Sequence, residues 1–549
     1  MGAGSHPGID FGVKLKSYHL TCEDDEMSPL DDNPGILKRL FIATAFFEGI
    51  SVLVVEIAGA RALAPFYGTS LKVWTAQITA TLLFLALGYW FGGYLSRRTG
   101  NLKLPLVFLA AGVWLTLFPF LRVVVLKTTA QAFDIAGGSF LSAVILYGIP
   151  LLSLGAVSPL LIERLDRLGT GAGSAAGNLF FTNTMGGLAG GWLTALWLIP
   201  HFPLRMVLCG TGILLVMISI FWGFTFKSIK PMLACILLLV STILVVIGPK
   251  PARTITFDDG TKGHIVYAKG GSLGFLQVLD TSDGTRSLLL NGAIQGGELQ
   301  GLSAYPFTEY QNFISYRFQP AAKSALLLGL GAGMLAKDLM RRGVEVTAVE
   351  LERQMGEVAR TYFGLPQLKH LIYEDARTYL NRNTNHYDLV FLDVYAGENM
   401  PWYLANKEAV TLIKKALNPN GLLVVNIMIW ANGTSPDLIR LAHTIRDIFP
   451  ETKGFMAVHG TGGSGQQLTN AVLVAGAKLI PTNNPFPGAQ LPWIRLQCEA
   501  LVPLPDATWK DVMPTQTDDW SDLDYADADM KLAYRRLISS ELGAAILGD

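Results

Sequence analysis

The sequence predicts an α-helical multi-span membrane domain followed by an α/β, Rossmann-like domain with a small β-region in front of it. The first observation behind this prediction is composition: the chain of 549 residues is 50% hydrophobic and 16% charged. That is too apolar for an ordinary soluble protein of this size, and the apolar residues are concentrated before Pro249. The second observation is a glycine-rich stretch, residues 323–352, in which strand and helix patterns alternate.

Residues 1–37 are predicted to form a flexible polar tail, because they are rich in acidic and polar residues and carry no signal-peptide pattern. The four cysteines stand far apart, without the spacing of a disulfide framework or a metal site, so no metal is predicted. Lysine plus arginine and aspartate plus glutamate both number 43, which leaves no charge excess that would indicate nucleic acid as a partner.

Residues 38–250 are predicted to form a seven-helix transmembrane domain, because they contain seven segments of the ~20 mostly apolar residues that a bilayer crossing needs. We therefore expect a multi-pass protein of the cell membrane, with the lipid bilayer as a partner. Glycines recur in L-G-Y-W-F-G-G-Y and N-T-M-G-G-L-A-G-G-W, which favours close helix packing. The predicted spans are residues 40–64, 73–95, 104–126, 139–162, 176–200, 206–226 and 231–248.

The first span contains three ionisable residues, Glu48, Glu56 and Arg61. An ionised group in hydrocarbon costs about 2.5 to 3.5 kcal/mol on insertion scales, so a functional role is one interpretation. The other is a structural pair inside the bundle, with the arginine reaching to the membrane interface. The pattern leaves both open.

Basic residues give conflicting evidence on orientation. Those flanking the spans on the N-terminal side slightly outnumber those on the other side, which by the positive-inside rule places the N-terminus in the cytoplasm. Seven crossings would then leave the second half of the chain outside. A domain that uses a cytosolic nucleoside should instead be cytoplasmic, which we favour while the orientation stays open.

The second half begins with a β-rich region, residues 251–320, in which Asp283-Gly284 between alternating runs predicts a hairpin. Residues 321–480 then alternate strands and helices, which predicts a doubly wound parallel sheet. A C-terminal loop and helix, residues 481–549, complete the chain.

The glycine-rich stretch predicts a nucleoside site. Gly329, Gly331 and Gly333 allow close approach of the backbone to a ligand at a helix N-terminus, and Glu350 follows about 20 residues later, where an acid suits a ribose. Asp375 and Asp393 also end predicted strands, so the three acids are expected in one crevice. The plainer interpretation is that the glycines only allow close packing and that each acid is a solvated surface group.

Several motifs together resemble the spermidine synthase family, the polyamine aminopropyltransferases. Within residues 255–480 they are L-L-L-N-G-A-I-Q, G-L-G-A-G, V-E-L-E, Y-E-D-A-R and Y-D-L-V-F-L-D-V-Y. The earlier E-I-A-G-A-R-A-L-A-P-F-Y-G and L-A-L-G-Y-W-F-G-G-Y-L resemble its membrane-fused branch. The resemblance implies a methyltransferase-type Rossmann-like fold and a spermidine-synthase-like transferase. Family relatives of the soluble kind commonly form homodimers.

The resemblance also implies roles for individual residues. The co-substrate would be an adenosyl-sulfonium compound, S-adenosylmethionine or its decarboxylated form, with no tightly bound cofactor. The acceptor would be a small-molecule amine, such as a polyamine, or one delivered by the membrane. The implied nucleoside-binding residues are Gly329, Gly331, Gly333, Glu350 for the ribose, and Asp375 with Ala376 for the adenine; the implied catalytic residues are Asp393, Tyr305 and Gln295.

The chain departs from the family pattern at three polar positions. Ala332 stands where the soluble enzymes have an Asp, Ala396 where they have the second Asp of D-S-S-D, and Pro306-Phe307 where they have His-Glu. Glu398 and Glu309 are the candidates to replace the missing acids. Because an Asp would repel the carboxylate of intact S-adenosylmethionine, its absence predicts that this form binds at least as well as the decarboxylated one.

Two other kinds of function stay open. One is a methyltransferase or lyase that acts on S-adenosylmethionine, which the missing polyamine contacts favour. The other is a polyamine or nucleoside transporter or sensor with a non-catalytic nucleoside-binding domain, which the charged first span and the glycine-rich helices favour.

Overall fold

The computed structural model describes residues 33–98, 100–228, 231–247, 253–257, 259–395, 397–433, 435–449, 451–457, 467–510, 513–523 and 527–542. Most of the predicted tail lies outside these residues. The N-terminal part is entirely helical, and a π-helical turn at Thr194–Leu198 interrupts its sixth helix. Its helices are α1 (Pro34–Tyr67), α2 (Leu71–Ser96), α3 (Lys103–Thr116), α4 (Phe118–Ala132), α5 (Ile135–Arg167), α6 (Ala172–Leu193), α7 (Ile199–His201), α8 (Leu204–Thr225) and α9 (Pro231–Ile247).

Glycines bring these helices into backbone contact, as the sequence predicted. A Cβ on Gly49 of α1 would lie 2.0 Å from the carbonyl oxygen of Asn183 in α6, and one on Gly186 would lie 2.1 Å from that of Phe46. The same holds between α2 and α5, where a Cβ on Gly88 would lie 2.4 Å from the oxygen of Leu152. Larger residues at these positions would force the helices apart.

The number of candidate membrane spans is smaller than the predicted seven. Four described helices, α1, α2, α5 and α8, are long and apolar enough to cross a membrane, and α3 with α4 makes a fifth if this pair, bent by 65°, counts as one span. Pro119 lies at the bend, where its missing N–H interrupts the helical ladder. The predicted spans 176–200 and 231–248 fall short, because α6 is rich in glycine and polar residues and α9 has 17 residues.

The structure separates the ionisable residues of α1. The Glu48 carboxylate is buried and accepts hydrogen bonds from Ser158 Oγ, 3.1 Å from each oxygen. Arg61 donates instead to the carbonyl oxygen of Ser272, in the second half of the chain. Arg61 therefore connects the two domains and is not part of a pair with Glu48.

The β-region is a six-stranded antiparallel sheet in sequential order: β1 (Thr254–Thr256), β2 (Lys262–Gly270), β3 (Phe275–Thr281), β4 (Arg286–Leu290), β5 (Ala293–Leu299) and β6 (Leu302–Ser303). The predicted hairpin at Asp283-Gly284 joins β3 and β4. The run T-R-S-L-L-L-N-G-A-I-Q forms two paired strands, β4 and β5. Asn291 and Gly292 both have positive φ, so they form the tight turn between them.

The second sheet has eight strands in the order β14-β12-β13-β11-β10-β7-β8-β9. Five neighbouring strands of this sheet run parallel to one another. They are β7 (Ser324–Leu328), β8 (Glu345–Glu350), β9 (His370–Tyr373), β10 (Tyr387–Leu392) and β11 (Leu417–Trp430). The expectation of a wholly parallel sheet is wrong for β12 (Glu451–Met456), β13 (Leu468–Gly476) and β14 (Val502–Pro503), which pair antiparallel. The link between β12 and β13 is too short for the crossover that parallel neighbours need.

Helices cover both faces of this sheet, and each central strand buries alternate residues on either side. One face packs against α10 (Pro306–Phe318), α11 (Met334–Arg341), α12 (Arg353–Phe363) and α16 (Pro492–Glu499). The other packs against α13 (Ala376–Arg382), α14 (Lys407–Lys415) and α15 (Pro436–Arg446). The short α17 (Ala507–Lys510) precedes α18 (Ala528–Leu542), which packs against α1, α4 and α5. The domain is therefore doubly wound around a mixed sheet.

Candidate active site

A cavity of about 660 Å³ opens at the carboxyl ends of β7, β8, β9 and β10. Most of its wall comes from the Rossmann-like domain and the β-region, but Thr69 of the helical domain and Tyr534 and Leu537 of α18 also line it. The predicted site residues that line it are Gln295, Tyr305, Gly329, Gly331, Glu350, Asp375, Ala376 and Asp393. Gly333 does not; its φ of +76° starts α11, and a Cβ there would lie 3.0 Å from Leu365.

The glycine loop brings protein segments together around the cavity. A Cβ on Gly329, whose φ is +93°, would lie 2.2 Å from the carbonyl oxygen of Asp393. One on Gly331 would lie 2.5 Å from that of Gln295, in the β-region. Glycine is therefore required at both positions, because a side chain would push the glycine loop away from Asp393 and from Gln295.

Glu350 is fixed beside this loop by backbone donors. The N–H of Leu330 donates to its Oε2 at 3.0 Å, and the N–H of Glu352 donates to its Oε1 at 2.9 Å. Burial raises the pKa of the Glu350 carboxyl, and the backbone donors lower it. Two lone pairs of the carboxylate are thus used for positioning, and the remaining ones are available to a hydroxyl ligand.

Asp375 stands at the N-terminus of α13. Its Oδ1 accepts from the N–H of Thr378 at 3.0 Å, and its Oδ2 accepts from Tyr403 Oη at 3.0 Å. Burial, with a further contribution from Asp375, raises the pKa of Tyr403 to about 12, so the phenol stays a donor. Tyr403 lines the cavity next to Asp375, whereas its neighbour Trp402 does not.

Asp393 is held by neutral amides. Gln311 Nε2 donates to its Oδ2 at 2.7 Å and Asn426 Nδ2 donates to its Oδ1 at 3.0 Å, while Asn470 Nδ2 donates to Asn426 Oδ1 at 3.1 Å. Burial raises the pKa of the Asp393 carboxyl, and the two amide hydrogen bonds lower it. A partly buried carboxylate whose partners among the described residues are neutral amides is a base of more than ordinary strength.

The amides Gln311, Asn426 and Asn470 were not predicted from the sequence. A signal existed for Asn426, which interrupts the apolar run L-L-V-V-N-I-M-I-W and is 3% exposed. A polar residue inside a buried strand needs a hydrogen-bonding partner, and here that partner is Asp393. Gln311 carried no comparable signal, because it lies within a mixed helical pattern.

Gln295 and Tyr305 connect the β-region to the cavity. Gln295 Nε2 donates to the carbonyl oxygen of Gly397 at 3.2 Å, which joins β5 to the loop after β10. Tyr305 Oη forms a 2.6 Å hydrogen bond with Ser287 Oγ, and its ring stacks on Phe307. Both side chains line the cavity near Asp393.

Neither of the two glutamates expected to replace the missing acids is available. Glu398 lines the cavity but forms an ion pair with Arg535, and both side chains are 1% exposed. Glu309 lies outside the cavity lining and accepts from Gln490 Nε2 at 2.7 Å. Burial, together with nearby Asp338, raises the pKa of Glu309 to about 8.

Part of this chain is similar to known proteins. Residues 326–425 match the family model of a methyltransferase domain. The chain is 30% identical over 130 residues to a probable polyamine aminopropyl transferase of Bifidobacterium longum, covering 23% of this chain and 29% of that protein. It is 27% identical over 230 residues to an N-terminal histidine N-methyltransferase of Emericella nidulans, covering 37% and 40%. A probable spermidine synthase structure from Corynebacterium glutamicum has a TM-score of 0.35 at 17% identity, covering 42% of this chain and 93% of that chain.

Further curated relatives are polyamine aminopropyltransferases. The chain is therefore similar to the polyamine aminopropyltransferases of the spermidine synthase family. It spans less than half the length of the first two curated relatives.

Proposed function

We propose that this protein is a membrane-bound transferase that uses an adenosyl-sulfonium donor to alkylate an amine. The observation that carries the proposal is the position of Asp393, a partly buried carboxylate held by two neutral amides in the cavity that Glu350 and Asp375 also line. Glu350 would accept from the ribose hydroxyls of the donor and Asp375 from the adenine amino group. Gln295 and Tyr305 would enclose the amine.

In the proposed reaction the amine nitrogen attacks the carbon next to the sulfonium. A C–N bond forms, the C–S bond breaks with its electron pair passing to sulfur, and a neutral thioether leaves. The nitrogen loses a proton to the Asp393 carboxylate, whose raised pKa suits it to accept one. Because the sulfonium already activates the carbon, the protein supplies mainly alignment and this base.

A methyltransferase is the second candidate. Its support is the match of residues 326–425 to a methyltransferase domain and the similarity to a histidine N-methyltransferase. The electron flow is the same, but the transferred group is the methyl and the product nucleoside is S-adenosylhomocysteine. The two reactions therefore differ in which carbon of the donor faces the acceptor.

We propose that the helical domain lies in the cell membrane with the catalytic domain on the cytoplasmic side. Its outer surface carries large apolar side chains, such as Trp90 and Trp192, which are 73% and 68% exposed. The carbonyl oxygen of Pro65 accepts a hydrogen bond from Arg535 of α18, so the end of α1 lies at the catalytic domain. Labelling of an introduced Ser282→Cys by an impermeant reagent tests the side: labelling in intact cells would contradict a cytoplasmic position.

Mass spectrometry of the full-length protein tests the reaction. The protein is incubated with S-adenosylmethionine or its decarboxylated form, with and without a primary amine. Alkylated amine together with methylthioadenosine is the expected result. S-adenosylhomocysteine would select the methyltransferase, and methylthioadenosine without alkylated amine would select a lyase. Absence of any nucleoside product would overturn the enzyme and favour a transporter or sensor.

A further inference from the structure

Five carboxylates line the cavity, and two of them are paired with arginines. Glu374 is paired with Arg382, and Glu398 with Arg535. Glu350, Asp375 and Asp393 accept hydrogen bonds from neutral donors in the described residues, and the proposed function assigns Glu350 and Asp375 to the ribose and adenine of the donor. Among the described lining residues, this leaves Asp393 as the carboxylate available to a cationic acceptor.

This distribution of charge bears on the kind of amine the site accepts. A diamine or polyamine brings at least two cationic groups, and each loses its hydration when it enters an enclosed cavity. Each therefore needs a carboxylate that is neither neutralised by another cation nor occupied by the donor. One such carboxylate suits an acceptor with a single amino group.

The cavity wall next to α18 and the helical domain is uncharged. It consists of Thr69 between α1 and α2, Ile294 of β5, and Tyr534 and Leu537 of α18. Tyr534 Oη accepts from the N–H of Ile294 at 3.1 Å, which holds the phenol against β5, and its ring contributes apolar surface. We call these four residues the apolar wall.

The apolar wall lies where the two domains meet. Arg536, next to Tyr534 in α18, donates to the carbonyl oxygens of Ala130 and Phe133 in the helical domain at 2.8 and 3.1 Å. Leu537 is 50% exposed although it lines the cavity, which places it at an opening. An apolar chain resting on this wall would therefore extend toward the helical domain and the lipid around it.

We propose that the acceptor is an amphipathic monoamine, one primary amino group on an apolar chain, with the amine at Asp393 and the chain on the apolar wall. This rests on the proposed function, because it names the class of amine that the transferase alkylates. Free alkylamines and lipids with an amino headgroup both have one amino group on an apolar chain. The chain length that the site prefers distinguishes these two sources.

A matched pair of acceptors tests the proposal. Pentylamine and 1,4-diaminobutane have nearly equal length, but the diamine carries a second ammonium group where pentylamine has a methyl. With the full-length protein and its donor, we expect kcat/KM for pentylamine to exceed that for the diamine by about tenfold, the effect of one unpaired polar group. Equal values, or a preference for the diamine, would overturn the proposal.

A series from butylamine to dodecylamine tests the apolar wall. Each methylene that packs against it should raise kcat/KM by roughly fourfold until the wall is covered. An increase that stops at short chains indicates a free alkylamine, and one that continues to dodecylamine indicates a lipid-like acceptor. No dependence on length would contradict a role for the wall.

Binding separates this proposal from the proposed function. Calorimetry with the protein saturated by methylthioadenosine measures the affinity of each amine without turnover. Tighter binding of pentylamine without transfer from either donor would contradict the transferase and leave the acceptor class standing. Equal or weaker binding of pentylamine would overturn the acceptor class even if transfer occurs.

Substitution of Leu537 locates the acceptor on the wall. Leu537→Glu adds a second carboxylate at a half-exposed position, and Leu537→Gln is the matched neutral control. We expect the ratio of kcat/KM for the diamine to that for pentylamine to be about tenfold higher in the Glu variant than in the Gln variant. Equal ratios in two folded variants would remove the apolar wall from the acceptor site.

Discussion

The guanidinium of Arg535 and the carboxylate of Glu398 form a buried ion pair that joins α18 to the loop covering the cavity. Arg535 also donates to the carbonyl oxygens of Asn291, in the turn between β4 and β5, and of Pro65, at the end of α1. One side chain thus connects four segments from three parts of the protein. Removal of this arginine should affect all of them together.

We predict that Arg535→Met destabilises the protein by about 3 to 5 kcal/mol, because it leaves the Glu398 carboxylate buried without a partner. The double variant Arg535→Met, Glu398→Met should be more stable than the single one, since neither charge remains. Thermal unfolding of the purified full-length protein measures both. A double variant less stable than Arg535→Met would contradict this account.

Asp393→Asn should lower turnover by about 10² to 10⁴-fold, the usual contribution of a general base. Affinity for the donor should stay within about twofold, since Glu350 and Asp375, which are proposed to hold the nucleoside, are unchanged. The fold should tolerate the change, because Gln311 Oε1 has no hydrogen-bond partner among the described residues and can turn to accept from the new amide. Asp388→Asn, at the other end of β10, is the control. Full activity of Asp393→Asn would exclude it as the base.

The pH dependence of turnover should depend on the amide hydrogen bonds to Asp393, because they affect the pKa of its carboxyl. The carboxylate is the active form, so activity is present above its pKa and is lost as pH falls through it. The bond from Asn426 lowers this pKa; Asn426→Ala should therefore move the acid limb of the pH–rate profile to higher pH. Asn470→Ala, which keeps that bond, should move it less. An unchanged limb in Asn426→Ala would show that Asp393 does not control the rate.

Glu350→Gln should weaken binding of methylthioadenosine by about tenfold, because it removes the charge from the bonds offered to the ribose. Glu374→Gln is the matched control, since Glu374 lines the same cavity but is paired with Arg382. Calorimetry measures the affinity of both variants for methylthioadenosine. Equal losses would mean that Glu350 has no specific part in nucleoside binding.

We expect S-adenosylmethionine to bind at least as tightly as its decarboxylated form, because the loop has Ala332 where an acid would repel the carboxylate. Ala332→Asp should then weaken binding of S-adenosylmethionine more than that of the decarboxylated donor. The methyl of Ala332 packs against Gly296, so Ala332→Asn controls for the added bulk. If the Asp and Asn variants have the same donor preference, the charge at this position has no influence.

Local patterns predicted much of the catalytic domain. The glycine-rich unit and the acids at the strand ends lie within short stretches, whose periodicity is visible without tertiary information. The antiparallel β12 and β13 were not predicted, because strand direction depends on the length of a connection that pattern alone does not fix. The turn at Asn291-Gly292 was not predicted, although Asn-Gly between apolar residues is a strong hairpin signal.

Partnerships between distant residues could not be predicted. Gln311 and Asn426 bind Asp393 from 82 and 33 positions away in the chain, and Glu398 and Arg535 are 137 positions apart. A carboxylate in a sequence gives no sign of whether an amide or a cation will meet it. That difference separates the available Asp393 from the neutralised Glu398, and only the folded arrangement determines it.

The position of α18 has a consequence for how the protein is made. The ribosome completes α18 after every other described element of both domains, yet its Tyr534 and Leu537 form part of the cavity and its Arg535 joins the domains. The helical domain and the sheet can both form while this wall is still missing. The cavity is therefore completed only after the residues of both domains have been synthesised, and a chain that ended before α18 would have both domains and an unfinished site.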